Sequence, residues 1–520
     1  MSSFSWADLF EIVADAVGER EALVVGDRHL SYAELDARAN RLAHHLASLG
    51  VGAGDQLGLY LQNGVEYVES MLAAFKLRAV PVNVNYRYVE DELRYLFDDA
   101  DLVGVVCEAQ YVDRVDAVRA DTPRLAWVLA AGDDYEAALA AQSPARDFGP
   151  RSGDDLYVIY TGGTTGMPKG VMWRQEDAFF ACLRGGNPIG EPARTPEQLA
   201  VMVTSRPGLK QMACAPLMHG AAQWTVFMAL FGGDTAVLVP GGFDPDAVLD
   251  TVAAEKVNVI TIVGDAMARP LAESMARTPR DLSSLYIIGS GGAIFSAAVQ
   301  EQIKAQLPHI TILDSFGVSE TGYQGSKPPG DDDAAPRFAV DDTTAVLDSD
   351  LRPVEPGSDT VGMLARTGHV PLGYHKDPDK TAKTFVTDET GRRWALPGDM
   401  ATVGADGVIT LLGRGSQCIN TGGEKVYPEE VESVLKGHPD VFDAVVVGVP
   451  DDRFGQRVAA VVAPAGGRHP TLDDVATHCR GALAGYKVPR DLVVVDEVQR
   501  SPSGKPDYRW ARETAEGAIS

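Results

Sequence analysis

Apolar positions along the first hundred residues switch repeatedly between helical and strand spacing. Ser31 and Glu34 make a capping box, after which Leu35, Ala39, Leu42, Leu46 and Leu49 recur on one helical face until Gly50. Residues 55–61 then read as a strand, 66–77 as a helix, 79–84 as a strand, 89–97 as a helix and 102–107 as a strand. Such alternation predicts an α/β fold in which parallel strands are flanked by helices. Two stretches break the pattern. Residues 121–155, rich in Ala, Pro and Asp, read as a peripheral connection, and residues 184–211, with several Gly and Pro, as irregular packing.

The last hundred residues carry a different pattern. Pro428 opens a helix whose Val431, Val434 and Leu435 share one side until Gly437. Strands are predicted at 444–449 and 458–463, a helix from Thr471 and a strand at 492–495. This is a small α+β unit of ordinary domain size, about a hundred residues. The expected division is therefore 1–413 and 414–520, with Gly413 to Ser416 as the hinge.

Composition narrows the function. With 520 residues, 45% of them apolar and 23% charged, the chain has enough core for two domains and is not globally disordered. Its net charge of −27 opposes phosphate backbones, so any nucleotide must be held by a local site rather than by general nucleic-acid affinity. The five cysteines, Cys107, Cys182, Cys214, Cys418 and Cys479, are scattered and offer neither a disulfide framework nor a metal spacing. A reducing, cytoplasmic setting is expected. The N-terminus has early acids and lacks the order of a secretory leader. Residues 211–233 are free of charge, but Pro216, His219, Gly220 and Gln223 suit a buried segment beside a site better than a membrane span.

The strongest chemical signal follows the apolar run from Leu156 to Thr161. Gly162, Gly163, Gly166 and Gly170 let the backbone curl with its N–H groups inward, Thr161, Thr164 and Thr165 add hydroxyls, and Lys169 adds a cation. Such a loop suits a polyphosphate. It is not a Walker loop, because Met167 and Pro168 separate the glycine from the lysine. The dinucleotide fingerprint also fails, since the run Gly289-Ser-Gly-Gly-Ala-Ile294 ends in isoleucine. Around Ser319 the nucleophile elbow lacks its last glycine.

The run Tyr160-Thr-Gly-Gly-Thr-Thr-Gly-Met-Pro-Lys-Gly170 resembles the phosphate loop of the adenylate-forming superfamily of acyl-CoA synthetases, amino-acid-activating domains and beetle luciferase. Four further runs resemble that family's motifs in its order: Phe316-Gly-Val-Ser-Glu-Thr-Gly322, Pro397-Gly-Asp399, the segment from Gly413 to Glu432, and Pro502-Ser-Gly-Lys505. The resemblance implies a large N-terminal adenylation domain and a small mobile C-terminal domain. It also implies a two-step reaction in which a carboxylate attacks ATP to give an acyl-adenylate and pyrophosphate, and a thiol then displaces AMP.

By the same resemblance, Lys505 approaches the carboxylate and α-phosphate, countering the charge of two anions that must meet. Glu320 holds Mg²⁺, a hard cation suited to carboxylate oxygen. Asp399 accepts from the ribose hydroxyls and Arg414 reaches the same ribose or a phosphate. Phe316 stacks on adenine opposite the backbone of Gly291, Gly292 and Ala293, with Asp314 at the exocyclic amino group; Gly317 and Ser319 belong to that motif. His219 stands at the carboxylate end of the acyl pocket, and some of Trp224, Phe227 and Met228 line its tunnel. Gly422 and Gly423 belong to the run assigned to the pantetheine channel. Two positions depart from the family: Ser416 where Asp or Lys is usual at the hinge, and Ser319 where Thr is more common.

After His219 the run Gly220-Ala-Ala-Gln223 offers no acid for a substrate ammonium, which disfavours an amino acid as substrate. The segment Trp173-Arg-Gln-Glu-Asp177 and the run from Asn420 to Pro428 resemble actinobacterial fatty-acid and steroid-acid CoA ligases. The expected activity is ATP-dependent joining of a lipophilic acid, a medium or long-chain fatty acid or a steroid side-chain acid, to coenzyme A. A carrier-protein acceptor or an aryl acid remain alternatives. An inactive nucleotide binder would have lost Lys505, Glu320 or Asp399, and all three are present.

Overall fold

The computed structural model describes residues 3–163, 166–187, 190–328, 336–358, 360–422, 424–451, 453–501 and 504–519. The α/β expectation holds. Six mutually parallel strands, Glu21–Val25, Thr235–Leu238, Lys210–Ala213, Val259–Ile262, Ile287–Ser290 and Thr311–Val318, form the middle of the largest sheet. Antiparallel strands from Gly322–Ser326 to Ile409–Arg414 extend one end of it. A second sheet is wholly parallel, in the order Val80–Asn83, Gln56–Tyr60, Leu102–Cys107, Trp127–Ala130. Both place the C-terminal ends of several strands toward one cleft, where ligands bind in open α/β sheets.

Local sequence explains these elements. The capping box at Ser31 and Glu34 is formed and starts the helix Tyr32–Ser48. The apolar run before the phosphate loop becomes the strand Leu156–Gly163, buried on both faces: Tyr157 and Ile159 join the main core, Val158 and Tyr160 the core of the second sheet. Asn83 stitches these parts together. Its amide donates to the carbonyls of Tyr160 and Met218, both at 2.7 Å, and its oxygen accepts from the Tyr160 N–H at 2.8 Å. The phosphate strand is thereby fixed beside the segment that carries His219.

The two stretches expected to be irregular contain regular structure. Residues 121–155 hold the strand Trp127–Ala130 and the helix Asp133–Ala140. The strand can pair because Gly104 leaves room for the Trp127 ring, which would lie 1.9 Å from a Cβ there. That fit depends on a partner in another element, so composition alone hid it. Residues 184–211 hold the helix Gln198–Thr204, whose Leu199 and Val203 enter the main core. The charge-free run 211–233 is buried: the end of one strand, a turn, and the helix Gly220–Phe231. No described helix is long and apolar enough to cross a membrane.

The C-terminal unit is built on the hairpin Val441–Asp451 and Gly455–Pro464, longer at both ends than expected. Alternate residues feed two separate cores. Ala444 and Val446 pack with helices Pro428–Lys436 and Leu472–Arg480, while Val445 and Val447 pack with the helix Tyr508–Ile519. Both cores draw only on residues after 418.

Candidate active site

Four elements converge on one cleft. Glu320 lies in the turn between strands Thr311–Val318 and Gly322–Ser326, Asp399 starts the strand Asp399–Val403, and Arg414 ends the strand Ile409–Arg414 paired to it. Lys505 is brought from the small domain by a loop. The antiparallel register puts Asp399 opposite Arg414, whose Nε lies 3.0 Å from Asp399 Oδ1. Asp399 is buried, and among the described residues its Oδ2 has no hydrogen-bond partner. Burial and the nearby Glu320 hold this carboxyl above the usual aspartate range, against the pull of Arg414. A buried acceptor without a donor is costly, and a ribose hydroxyl would supply one.

Glu320 is buried too, and its Oε1 accepts from the Tyr374 hydroxyl at 2.8 Å. It is not a helix cap, since it sits in a hairpin turn. A buried carboxylate with only one oxygen engaged among the described residues, in a cleft with a phosphate loop, fits the hard-cation chemistry of Mg²⁺.

Lys505 is exposed, and its ammonium feels the charges of Arg414, Glu320 and Asp399. Burial and Arg414 hold it below the usual lysine range, while Glu320 and Asp399 oppose that shift. The loop is short and tight: Gly504 N–H donates to the Ser501 carbonyl at 2.9 Å, and Ser501 N–H to the Lys505 carbonyl at 2.8 Å. Gly504, at φ +73°, rests on Val263 and Ala266 of the large domain; a Cβ there would lie 3.0 Å from Ala266 Cβ. Nearby, the Arg269 guanidinium lies 5.0 Å from the ring centre of Phe442, a second bridge between the domains.

His219 is the N-cap of the helix Gly220–Phe231. Its Nε2 is buried with no partner among the described residues, unlike that of a satisfied core histidine. Burial, Lys505 and Arg87 push its pKa down to about 4, leaving the ring neutral at pH 7. Along the same helix Ala221, Trp224 and Met228 keep accessible surface at one-face spacing, whereas Phe227 is fully buried among Trp6, Phe75 and Phe231. Of the three large side chains expected near a tunnel, Phe227 is core, and Trp224 and Met228 pack against that core while keeping part of their surface accessible.

The adenine motif lines the cleft's other wall. Phe316 packs against Phe338 with ring centres 5.6 Å apart and keeps part of its surface accessible. Gly291 faces it closely enough that a Cβ would lie 3.3 Å from the Ser315 carbonyl, and Gly292 needs φ +83°. Ala293 follows, half-buried. Asp314 is pushed up to about 7 by burial and by Asp265, with Lys327 opposing. Gly317 is required by packing, since a Cβ would meet the Gly322 carbonyl at 2.2 Å. The Ser319 carbonyl accepts from Trp173 Nε1 at 3.0 Å.

The described residues of the phosphate loop lie in two antiparallel strands, with Thr161 opposite Lys169 and Gly163 opposite Gly166. Gly162 lies in the same strand as Thr161, one residue before its end at Gly163. Lys169 pairs with Asp377. Thr164, Thr165 and Gly423 lie outside the described residues. Gly422 does not join the cluster: it sits at φ +63° in a turn of the small domain, where its N–H donates to the Phe454 carbonyl at 2.8 Å. Its described contacts are with Phe454, because the turn is paired into the small domain's own sheet.

Sequence reasoning missed Tyr374, Asp377 and Lys380. A signal was available in Asp377-Pro378, an N-cap followed by proline at the first helical position. It marks a helix start but not its nearness to Glu320.

Comparison with known proteins agrees with this geometry. Residues 10–375 match the family of AMP-binding enzymes and residues 430–505 the AMP-binding enzyme C-terminal domain. A medium/long-chain-fatty-acid–CoA/3-oxocholest-4-en-26-oate–CoA ligase of Mycobacterium marinum is 50% identical, over 98% of this chain and 96% of that protein. A 3-oxocholest-4-en-26-oate–CoA ligase of Rhodococcus rhodochrous is 49% identical, over 98% and 95%. The ATP-bound crystal structure of MatB from Rhodopseudomonas palustris superposes with a TM-score of 0.85 at 28% identity, over 99% of this chain and all of that one (100%). The chain belongs to the AMP-binding enzyme family.

Proposed function

We propose that this protein is an ATP-dependent acyl-CoA ligase acting on a lipophilic carboxylic acid, a medium or long-chain fatty acid or a steroid side-chain acid, with AMP and pyrophosphate released. The observation that carries the reading is the convergence of Lys505 from one domain on Asp399, Arg414 and Glu320 of the other. Asp399 receives the ribose through its unpartnered oxygen, and Arg414 fixes that carboxylate in place. Phe316 and the Gly291–Ala293 backbone sandwich the base, with Asp314 accepting from its amino group. Lys505 sits between the acid's carboxylate and the α-phosphate, and lowers the repulsion between them. Neutral His219 borders the carboxylate without adding a competing charge. Mg²⁺ held by Glu320 supplies neutralisation of phosphate oxygens when bound.

The acid's apolar tail lies along Ala221, Trp224 and Met228. The names of the relatives support that substrate class: those proteins are ligases of fatty acids and of 3-oxocholest-4-en-26-oate. The acceptor is the thiol of coenzyme A. The boundary between the domains, 1–413 and 414–520, is supported by the separate cores after residue 418. The small domain turns about Ser416 between the two steps. Five free thiols are compatible with a cytoplasmic setting.

The test is a panel of carboxylic acids from acetate to long-chain and sterol acids, assayed for AMP release dependent on both ATP and coenzyme A. Turnover confined to lipophilic acids is expected. No AMP release with any acid, or release independent of coenzyme A, would refute the reading.

A further inference from the structure

Among the described residues, the Lys380 ammonium in this cleft meets the face of an aromatic ring and no counter-ion. It is the third residue of the short helix Pro378–Thr384, and its N–H donates to the Asp377 carboxylate at 2.9 Å. Its ammonium lies 4.0 Å from the ring centre of Tyr374, the residue whose hydroxyl engages Glu320. Helix and ring are mutually fixed: Tyr374 N–H donates to Thr381 Oγ1 at 2.9 Å, and Thr381 Oγ1 to the Asp377 carbonyl at 2.7 Å. Tyr374 itself is buried. Lys380 therefore has a defined place.

The surrounding charges are spoken for. Asp377 pairs with Lys169 of the phosphate loop, and Glu320 accepts from Tyr374. Lys376, four residues earlier, pairs with Asp101. Among the described residues the Lys380 ammonium has neither a hydrogen bond nor an ion pair, only the face of the ring. It is half-buried, with the cations Lys169 and Arg414 near it as well as Glu320 and Asp377. A half-buried ammonium with no carboxylate in contact, and with cations as well as acids around it, is better satisfied when an anion arrives. It lies between the phosphate loop and the proposed metal-binding carboxylate, where the outer phosphates of a nucleotide would run.

We infer that Lys380 is a ligand of the β- and γ-phosphates of ATP, and hence of pyrophosphate, facing Lys169 across them. The inference rests on the ATP-activating reading above and deepens it. Lysine serves such a role as a compact point charge, and the Tyr374 ring directs it without neutralising it.

The experiment compares wild type with Lys380→Met and Lys380→Arg in ATP–pyrophosphate exchange, varying ATP and magnesium pyrophosphate separately. A second assay follows turnover of preformed acyl-adenylate with coenzyme A. Met keeps the aliphatic stem on the ring, so the fold is preserved. Lys380→Met should raise the half-saturating concentrations of both ATP and pyrophosphate about tenfold, the loss of one charge-assisted contact. Thioester formation from the adenylate should stay within about twofold, and Lys380→Arg should restore most of the affinity. Unchanged pyrophosphate dependence in Lys380→Met, or an equal loss in thioester formation, overturns the inference while leaving the ligase reading intact. Absence of exchange in the wild type overturns both.

Discussion

Arg500 Nη1 donates to the carbonyl of Gly504 at 2.8 Å, one residue before Lys505. The same guanidinium forks onto both oxygens of Asp443, at 2.6 and 2.7 Å, and Asp443 also faces Lys436. A bidentate, mostly buried pair of this kind fixes direction as well as distance. The loop that presents Lys505 is thus tied to the hairpin of the small domain. Arg500→Ala is expected to cut adenylation about a hundredfold, because a displaced catalytic cation loses its alignment. Turnover of preformed acyl-adenylate with coenzyme A should fall less than about threefold, since the role proposed for Lys505 precedes that step. Pre-steady-state measurement of the two half-reactions, with Lys505→Ala in parallel, checks this. Equal losses in both halves would assign Arg500 to domain stability alone.

Ser416 lies in the single turn Gly415–Gln417 that leaves the large domain's last strand. The turn is held by Gly415 N–H to the Gly398 carbonyl at 3.0 Å and by Cys418 N–H to the Gly415 carbonyl at 3.3 Å, bonds that use neither the Ser416 N–H nor its side chain. Proline at 416 would therefore keep this arrangement and oppose another backbone conformation. Ser416→Pro should leave ATP–pyrophosphate exchange within about twofold and slow thioester formation about tenfold or more. Equal slowing of both steps would remove the hinge from this position.

Glu429 is wedged under that hinge. Its Oε1 accepts from the Arg414 N–H at 3.3 Å, its Oε2 has no partner among the described residues, and a Cβ on Gly413 would lie 2.2 Å from Oε2. Burial, then Glu432 and Asp399, push this carboxyl up to about 8; the Arg414 N–H opposes, and Tyr508 also faces the pair. A carboxyl raised in the folded state binds more protons there than when unfolded. Its contribution is thus fully present below the ordinary glutamate value and is lost as pH rises toward about 8. Glu429→Gln should remove that loss, so its melting temperature gains on the wild type as pH goes from 5 to 8. Thermal unfolding across that range checks it, and parallel curves for the two proteins would contradict it.

Much of the architecture was legible because its signals are local. The capping box at Ser31, the apolar strand before the phosphate loop and the proline at 428 each act within a few residues, and each element formed where the pattern placed it. Asp399, Glu320 and Lys505 were legible through ordered motifs, although nothing in their spacing dictates that strand register sets Asp399 opposite Arg414. What escaped depends on partners far apart in the chain. Trp127 becomes part of a strand by covering Gly104, and Arg500 acquires its role from Asp443. Tyr374 becomes a site residue only because its hydroxyl reaches Glu320, 54 residues away. Gly422 shows the converse, a motif glycine whose immediate reason in this arrangement is a turn against Phe454.

Met228 offers the sharpest test of the acyl wall. It shares an accessible face with Ala221 and Trp224, while its neighbour Phe227 is sealed in the aromatic core. At 1.5 Å per residue, Met228 lies about 13 Å along the helix from His219, where the carboxylate end is placed. A larger, stiffer side chain there should block the far part of the tunnel and leave the near part open. Met228→Trp is therefore expected to lower kcat/KM for long-chain and sterol acids about tenfold or more and to spare short acids, because overpacking penalises only what must share that volume. Trp224, whose Nε1 is buried nearer His219, gives the contrasting variant. Trp224→Phe alters polarity with little change in length and should affect acids of all lengths alike. Competition assays with paired short and long acids measure both effects, and a uniform loss in Met228→Trp would mean that the tail follows another wall.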